Sequence, residues 1–178
     1  MDKKMFCFQC EKTVGCAGCT GNAGVCGKKA DTARLQDELT GALIGLARAV
    51  DSTTAISKRT GQIIIEGLFT TVTNVNFDDV SIENMIQKVR AEKERLVPDC
   101  SKCPSPCGKT AEYNMQQLWN ADEDIRSLKS LILFGIRGMS AYAYLANVLD
   151  YEDDEVNRFF CEALFRIGYE ESVETLLP

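Results

Sequence analysis

The 178-residue chain contains no histidine. That absence excludes Ser-His-Asp and Cys-His catalytic arrangements and every His-ligated zinc or iron site within the chain. Cationic excess is also missing: 20 Lys and Arg face 26 Asp and Glu, for a net charge of −6. Nucleic acid and anionic membranes are therefore not expected partners, whereas an acidic surface suits docking to a basic patch on a redox partner protein. No run approaches the ~18–20 consecutive apolar residues of a membrane span. The start, Met1-Asp2-Lys3-Lys4-Met5, has neither the apolar region nor the cleavage site of a secretory signal. A cytoplasmic location is expected. Proline is scarce, and three of the four fall between residues 98 and 106.

Against these absences stand nine cysteines, an odd number for a complete disulfide framework. In a reducing compartment, clustered cysteines read as metal ligands or redox thiols. With histidine missing, thiolates must hold any metal, and carboxylates are the only other charged ligands.

Apolar spacing indicates an all-α chain: a three-helix bundle plus part of a second helical bundle, with an N-terminal cysteine-rich loop. Residues 1–30 form that loop. Residues 31–97 hold the first bundle, 98–119 a second cysteine-containing loop, and 120–178 the second, incomplete bundle. Leu35, Leu39, Leu43, Leu46 and Val50 mark the first helix, with Asp31 as its expected N-cap. Gly41 and Gly45 within it suggest close helix–helix packing. Ile63 to Val72 is β-branched enough for a strand, but no partner strand occurs nearby, so helix is expected. Ile82, Met85, Ile86, Val89 and Leu96 mark a third helix. Ile125, Leu128, Ile132, Ile136 and Met139 mark a fourth, running to about Leu149. A fifth carries Val156, Phe159, Phe160, Ala163, Leu164 and Ile167, and a sixth segment begins near Leu176. Tyr113 and Trp119 are expected core anchors.

The chemistry concentrates at Cys7, Cys10, Cys16, Cys19 and Cys26. Cys7 and Cys10 form a C-x2-C pair, which lets two thiolates from one turn reach one metal centre. Thiolates select iron–sulfur clusters, zinc or copper(I). Gly15, Gly18, Gly21, Gly24 and Gly27 allow close backbone approach and amide donors to cluster sulfurs, which help set potential. On this chemistry alone, an iron–sulfur cluster and a zinc knuckle both remain open, the latter in a free-standing zinc-binding interaction module.

Met5-Phe6-Cys7-Phe8-Gln9-Cys10-Glu11, Gly18-Cys19-Thr20, Gly24-Val25-Cys26-Gly27-Lys28 and Leu35-Gln36-Asp37 together resemble the N-terminus of the hybrid-cluster protein family, also called prismane proteins or hydroxylamine reductases. The segment from Gly67 to Asp78 and that from Asn120 to Leu128 extend the resemblance over essentially the whole chain. The resemblance implies that Cys7, Cys10, Cys19 and Cys26 hold the family's first cluster, as C-x2-C-x8-C-x6-C. Cys16 could replace Cys19 on spacing, but Gly18-Cys19-Thr20 fits the family context better. A 4Fe–4S cluster is expected, with 2Fe–2S as the alternative form. The implied function is electron transfer within a hydroxylamine or nitric-oxide reductase, from an external donor to a hybrid iron–sulfur–oxygen cluster held by the remaining domains. Those domains are absent from this chain. It is therefore read as the N-terminal helical domain of such an enzyme and expected to be inactive alone, with no catalytic residue of its own.

Cys100, Cys103 and Cys107 form a second C-x2-C-x3-C group to which the resemblance assigns no role. With Cys16 as fourth ligand they could form a second metal site; unligated thiols or one disulfide are the plainer reading. Cys161, close to Phe159 and Phe160 on the fifth helix, is expected to be a buried core thiol.

Overall fold

A computed structural model describes residues 5–10, 17–50, 56–72, 74–97, 112–168 and 172–176. Within them the chain is all-α, as expected. Seven helices follow in order: α1 Ala30–Ala49, α2 Lys58–Thr70, α3 Asp79–Leu96, α4 Met115–Trp119, α5 Glu123–Val148, α6 Asp154–Gly168 and α7 Val173–Leu176. Among the described residues, the single extended pairing is an isolated antiparallel bridge between Cys7 and Cys19.

Helix α1 buries Leu35, Leu39, Leu43 and Leu46, the stripe read from the sequence. Its N-cap is Lys29 rather than Asp31. Asp31 lies within the first turn, where its charge complements the positive end of the helix dipole. Ser57 starts α2 by accepting a hydrogen bond from the Thr60 amide, and Asp78 starts α3 by accepting from the Val80 amide. Ile63, Ile64 and Ile65 are all buried, because α2 packs against α1, α3, α5 and α6. A helix enclosed on most sides needs apolar residues around its circumference, so tertiary packing outweighs the β-propensity of this run.

One apolar core includes Leu39 and Leu43 of α1, Ile64 of α2, Ile86 of α3, Ile136 of α5 and Leu164 of α6. Cys161 lies in it, its Sγ facing the Ala47 carbonyl at 4.0 Å, and burial pushes the thiol up to about 12. Gly41 makes its close approach to a loop, not to another helix. A Cβ there would collide with the Tyr113 carbonyl, while the Tyr113 amide donates to the Gly41 carbonyl at 3.3 Å. Tyr113 is buried and Trp119 is partly buried.

Helix α5 turns Ile136 into the core and keeps Ile125, Leu128 and Ile132 partly buried, as expected. Its buried seam is Lys129, Leu133, Ile136, Arg137 and Ser140, whereas Met139 is exposed. A second set of apolar residues on α5, not assigned to the core from the sequence, faces outward. Leu131, Tyr142, Leu145 and Leu149 are 58–80% exposed, and Gly135 and Gly138 between them have open space around them. Their alternating spacing of four and three residues forms a continuous stripe that is uncovered among the described residues. By length and composition alone α5 could cross a membrane, with mean hydropathy 1.2 over its most apolar stretch. Its inward face, however, presents Lys129 and Arg137 to the protein.

Candidate metal centre

The N-terminal segment is fastened to the helices by aromatic rings. Phe6 and Phe8 lie 5.2 and 4.8 Å from Trp119 between ring centroids. The Arg126 guanidinium lies over the indole at 5.2 Å and donates to the Trp119 carbonyl at 3.2 Å. This clamp fixes Cys7, which lies between the two phenylalanines.

The Cys7 and Cys19 backbones exchange two hydrogen bonds, of 3.0 and 2.7 Å, so their side chains stand beside each other. Gly18 makes that pairing possible. Its φ is +58°, and a Cβ would sit 2.9 Å from the Cys7 carbonyl oxygen; both facts favour glycine. The next turn closes through Gly24 N–H to the Lys28 carbonyl and Gly27 N–H to the Gly24 carbonyl, each 2.8 Å. It carries Cys26 at its exposed tip, with Sγ 3.3 Å from where a Gly24 Cβ would be. Cys10 is half-buried at the end of the first segment.

The structure thus pairs Cys7 with Cys19 and places Cys10 and Cys26 on the adjoining turns. Among the described residues, no three Cys, Asp or Glu side chains are grouped closely enough to hold a metal ion. All five described cysteines are free thiols. Cys16, Cys100, Cys103 and Cys107 lie outside the described residues.

Beneath the thiols runs a polar network that the sequence motifs contain but do not assign. The Lys28 ammonium, almost wholly buried, donates to Gln9 Oε1 at 2.6 Å and Gln36 Oε1 at 2.5 Å. Gln9 Nε2 donates to Asp37 Oδ1 at 2.6 Å and to the Ala33 carbonyl at 3.1 Å. Gln36 Nε2 donates to the Asn76 carbonyl at 2.7 Å, tying in the loop before α3. Farther along α1, the buried Arg137 donates from Nη2 to Thr40 at 2.8 Å and from Nε to Thr71 at 3.1 Å. Its Nη1 has no hydrogen-bond partner among the described residues. Burial pushes Asp37 up to about 6 and lowers Arg137 to about 10. At Cys7 burial raises the thiol, the Gln9 amide and Lys28 lower it, and Asp37 and Cys19 raise it further.

Two of the buried cations, Lys28 and Arg137, thus act on one carboxylate, Asp37, and on the Cys7 sulfur. Excess buried positive charge fits an anionic thiolate-bound group, since an uncompensated buried charge is costly. The donor set fits an iron–sulfur cluster in its chemistry, with Cys7 and Cys19 already side by side. Next to the cysteine segment, Phe6, Asp31, Arg34, Glu38 and Tyr113 help line an open cleft of about 690 Å³. A signal for the network was present in the sequence: a polar Gln36-Asp37 pair inside the apolar α1 pattern, and Arg137 inside the apolar run of α5.

The fold and site define a helical domain with a cysteine-rich N-terminal segment. Residues 5–177 match the Prismane/CO dehydrogenase family, and the chain belongs to that family. It is 38% identical to a hydroxylamine reductase of Methanococcus vannielii over 182 residues, covering 92% of this chain and 33% of that protein. Identity is 36% to a hydroxylamine reductase of Clostridium perfringens, with the same coverage of each chain. It is 35% to a hydroxylamine reductase of Maridesulfovibrio salexigens, over 97% of this chain and 35% of that one. The chain thus spans about a third of the length of these curated relatives.

Proposed function

We propose that the chain is the iron–sulfur electron-transfer domain of a hydroxylamine or nitric-oxide reductase. The observation that carries this reading is the backbone-paired Cys7 and Cys19 over two buried cations, in a chain of this family. Cys7, Cys10, Cys19 and Cys26 hold the cluster, 4Fe–4S in the favoured form. When bound, it supplies a one-electron relay. The chain's own residues exclude water at Cys7, offer the Gln9 amide to its sulfur and set the surrounding charge.

Electrons arrive from a redox partner protein and leave to a hybrid cluster in the remaining domains of an enzyme as long as the relatives. The uncovered stripe on α5 supports packing against those domains, as the relatives are about three times longer. The setting is cytoplasmic, where a reducing environment keeps clustered cysteines available as metal ligands. The chain alone, without histidine, does not reduce hydroxylamine.

The test is anaerobic reconstitution of the purified chain with iron and sulfide. The expected product is brown, carries ~4 irons for a cubane held by four thiolates, loses its visible absorption in Cys19→Ala and keeps it in Cys161→Ala. A colourless chain that binds zinc alone would overturn the reading. Turnover of hydroxylamine by the reconstituted chain would overturn the relay assignment, because the cluster would itself be catalytic.

A further inference from the structure

Lys28 is the least expected side chain in the site. Its ammonium is buried, and among the described residues it contacts two neutral amide oxygens and no carboxylate. Asp37 is one amide away, bonded to the far side of Gln9. Arg137 is buried as well, held by two threonine hydroxyls with one guanidinium nitrogen unpartnered. Glu38, the neighbouring acid on α1, is committed to Arg34 and Arg90 at the surface. Among the described residues, neither buried cation thus has a carboxylate in direct contact, and both attract the Cys7 sulfur. A lysine with its charge removed from water and left without an adjacent carboxylate is normally selected against. Its compensation here lies on the thiol side.

We propose that Lys28, Asp37 and Arg137 are potential-setting residues: two buried cations and one half-buried carboxylate, of net charge +1, whose fixed field stabilises the reduced form of a cluster held at Cys7. The inference rests on the cluster reading above and goes beyond it, to residues that make no bond to iron. Reduction adds one electron and one unit of negative charge to the cluster, and no bond to these side chains forms or breaks. The electron comes from an external one-electron donor, dithionite in the test. Lys28 has the larger influence, being two residues from Cys26 and hydrogen-bonded to Gln9 between Cys7 and Cys10. Asp37 opposes it. Gln9 and Gln36 hold the ammonium in place without neutralising it, which a glutamate at either position would do.

The measurement is a spectroelectrochemical titration of the reconstituted chain at pH 8, where Asp37 is ionised. Lys28→Met is expected to shift the midpoint to lower potential, Lys28→Arg to restore most of that shift, and Asp37→Asn to move it the opposite way. Asp37→Asn keeps an oxygen for the Gln9 amide, so it removes charge with little change of shape. Should Lys28→Met fail to hold the cluster, Gln36→Glu gives the same test: a carboxylate beside Lys28 lowers the potential. Shifts of one sign in Lys28→Met and Asp37→Asn, or none in Asp37→Asn and Gln36→Glu, would overturn the inference while leaving the cluster in place. A parent chain that takes up no iron would overturn the cluster reading and this inference with it.

Discussion

Glu92 on α3 ties two helices together through charge, away from the cysteine segment, and its removal has a calculable consequence. Its side chain is fully buried. Arg95 donates to it at 2.7 and 3.0 Å, Arg59 at 2.9 Å and Thr60 Oγ1 at 2.7 Å, the last two from the first turn of α2. The hydrogen bonds from Arg95, then Thr60, with both guanidinium charges, hold the carboxyl at about 2 against an ordinary 4.5. At about 1.36 kcal/mol for each pH unit, that depression would be worth about 3 kcal/mol. The arginines are half to two-thirds exposed, so water screens the attraction, and about 2 kcal/mol is the better figure. Glu92→Gln is therefore expected to lower the unfolding free energy by about 2 kcal/mol at pH 7.

The pH dependence separates this electrostatic cause from a packing defect. Glu92 is an acid whose folded-state pKa is depressed, so its contribution is fully present above the unfolded-state value. It is lost as pH falls from about 4.5 towards 2. Urea unfolding of parent and Glu92→Gln, followed by helical circular dichroism, should show a gap at pH 7 that has mostly closed at pH 2. A gap of the same size at both pH values, or one below about 0.5 kcal/mol at pH 7, would refute the reasoning.

Two further substitutions probe positions where shape matters more than charge. Gly41→Ala should destabilise by about 1–3 kcal/mol, because the new Cβ must displace the Tyr113 backbone; the urea midpoint should fall with an unchanged slope. Leu145→Glu should change stability by less than about 0.5 kcal/mol, since the side chain is exposed, while reducing binding of an apolar fluorescent dye to the α5 stripe.

What could be read in advance depended on whether the cause was local. The α1 seam was legible because Leu35, Leu39, Leu43 and Leu46 repeat with the helix on a single buried face. Ile63–Ile65 was ambiguous because the reason for its composition, four surrounding helices, lies elsewhere in the chain. In α5 four of the five marked positions, Ile125, Leu128, Ile132 and Ile136, are buried or partly buried and Met139 is exposed, but the pattern did not single out Lys129 and Arg137, which share the buried side. Apolar periodicity reports the face that needs covering, and in α5 part of that face has no cover within the described residues.

The cysteine segment shows the same division at closer range. Its spacing names candidate ligands, and Gly18 declares a tight approach, but nothing local reveals that Lys28 turns inward to meet Gln36 from the next helix. Nor does it reveal that Arg137, more than a hundred residues away, reaches Thr40 behind Asp37. Candidate ligands can be read from proximity along the chain, because a loop that wraps one centre must carry them close together. The buried polar network beside the cysteines is assembled from several elements, so it is written in residues that look out of place in their own segments: a polar pair in an apolar helix, and an arginine in an apolar run. A polar residue that breaks the pattern of its own helix therefore points to a partner on another element, as Arg137 does in reaching Thr40 and Thr71.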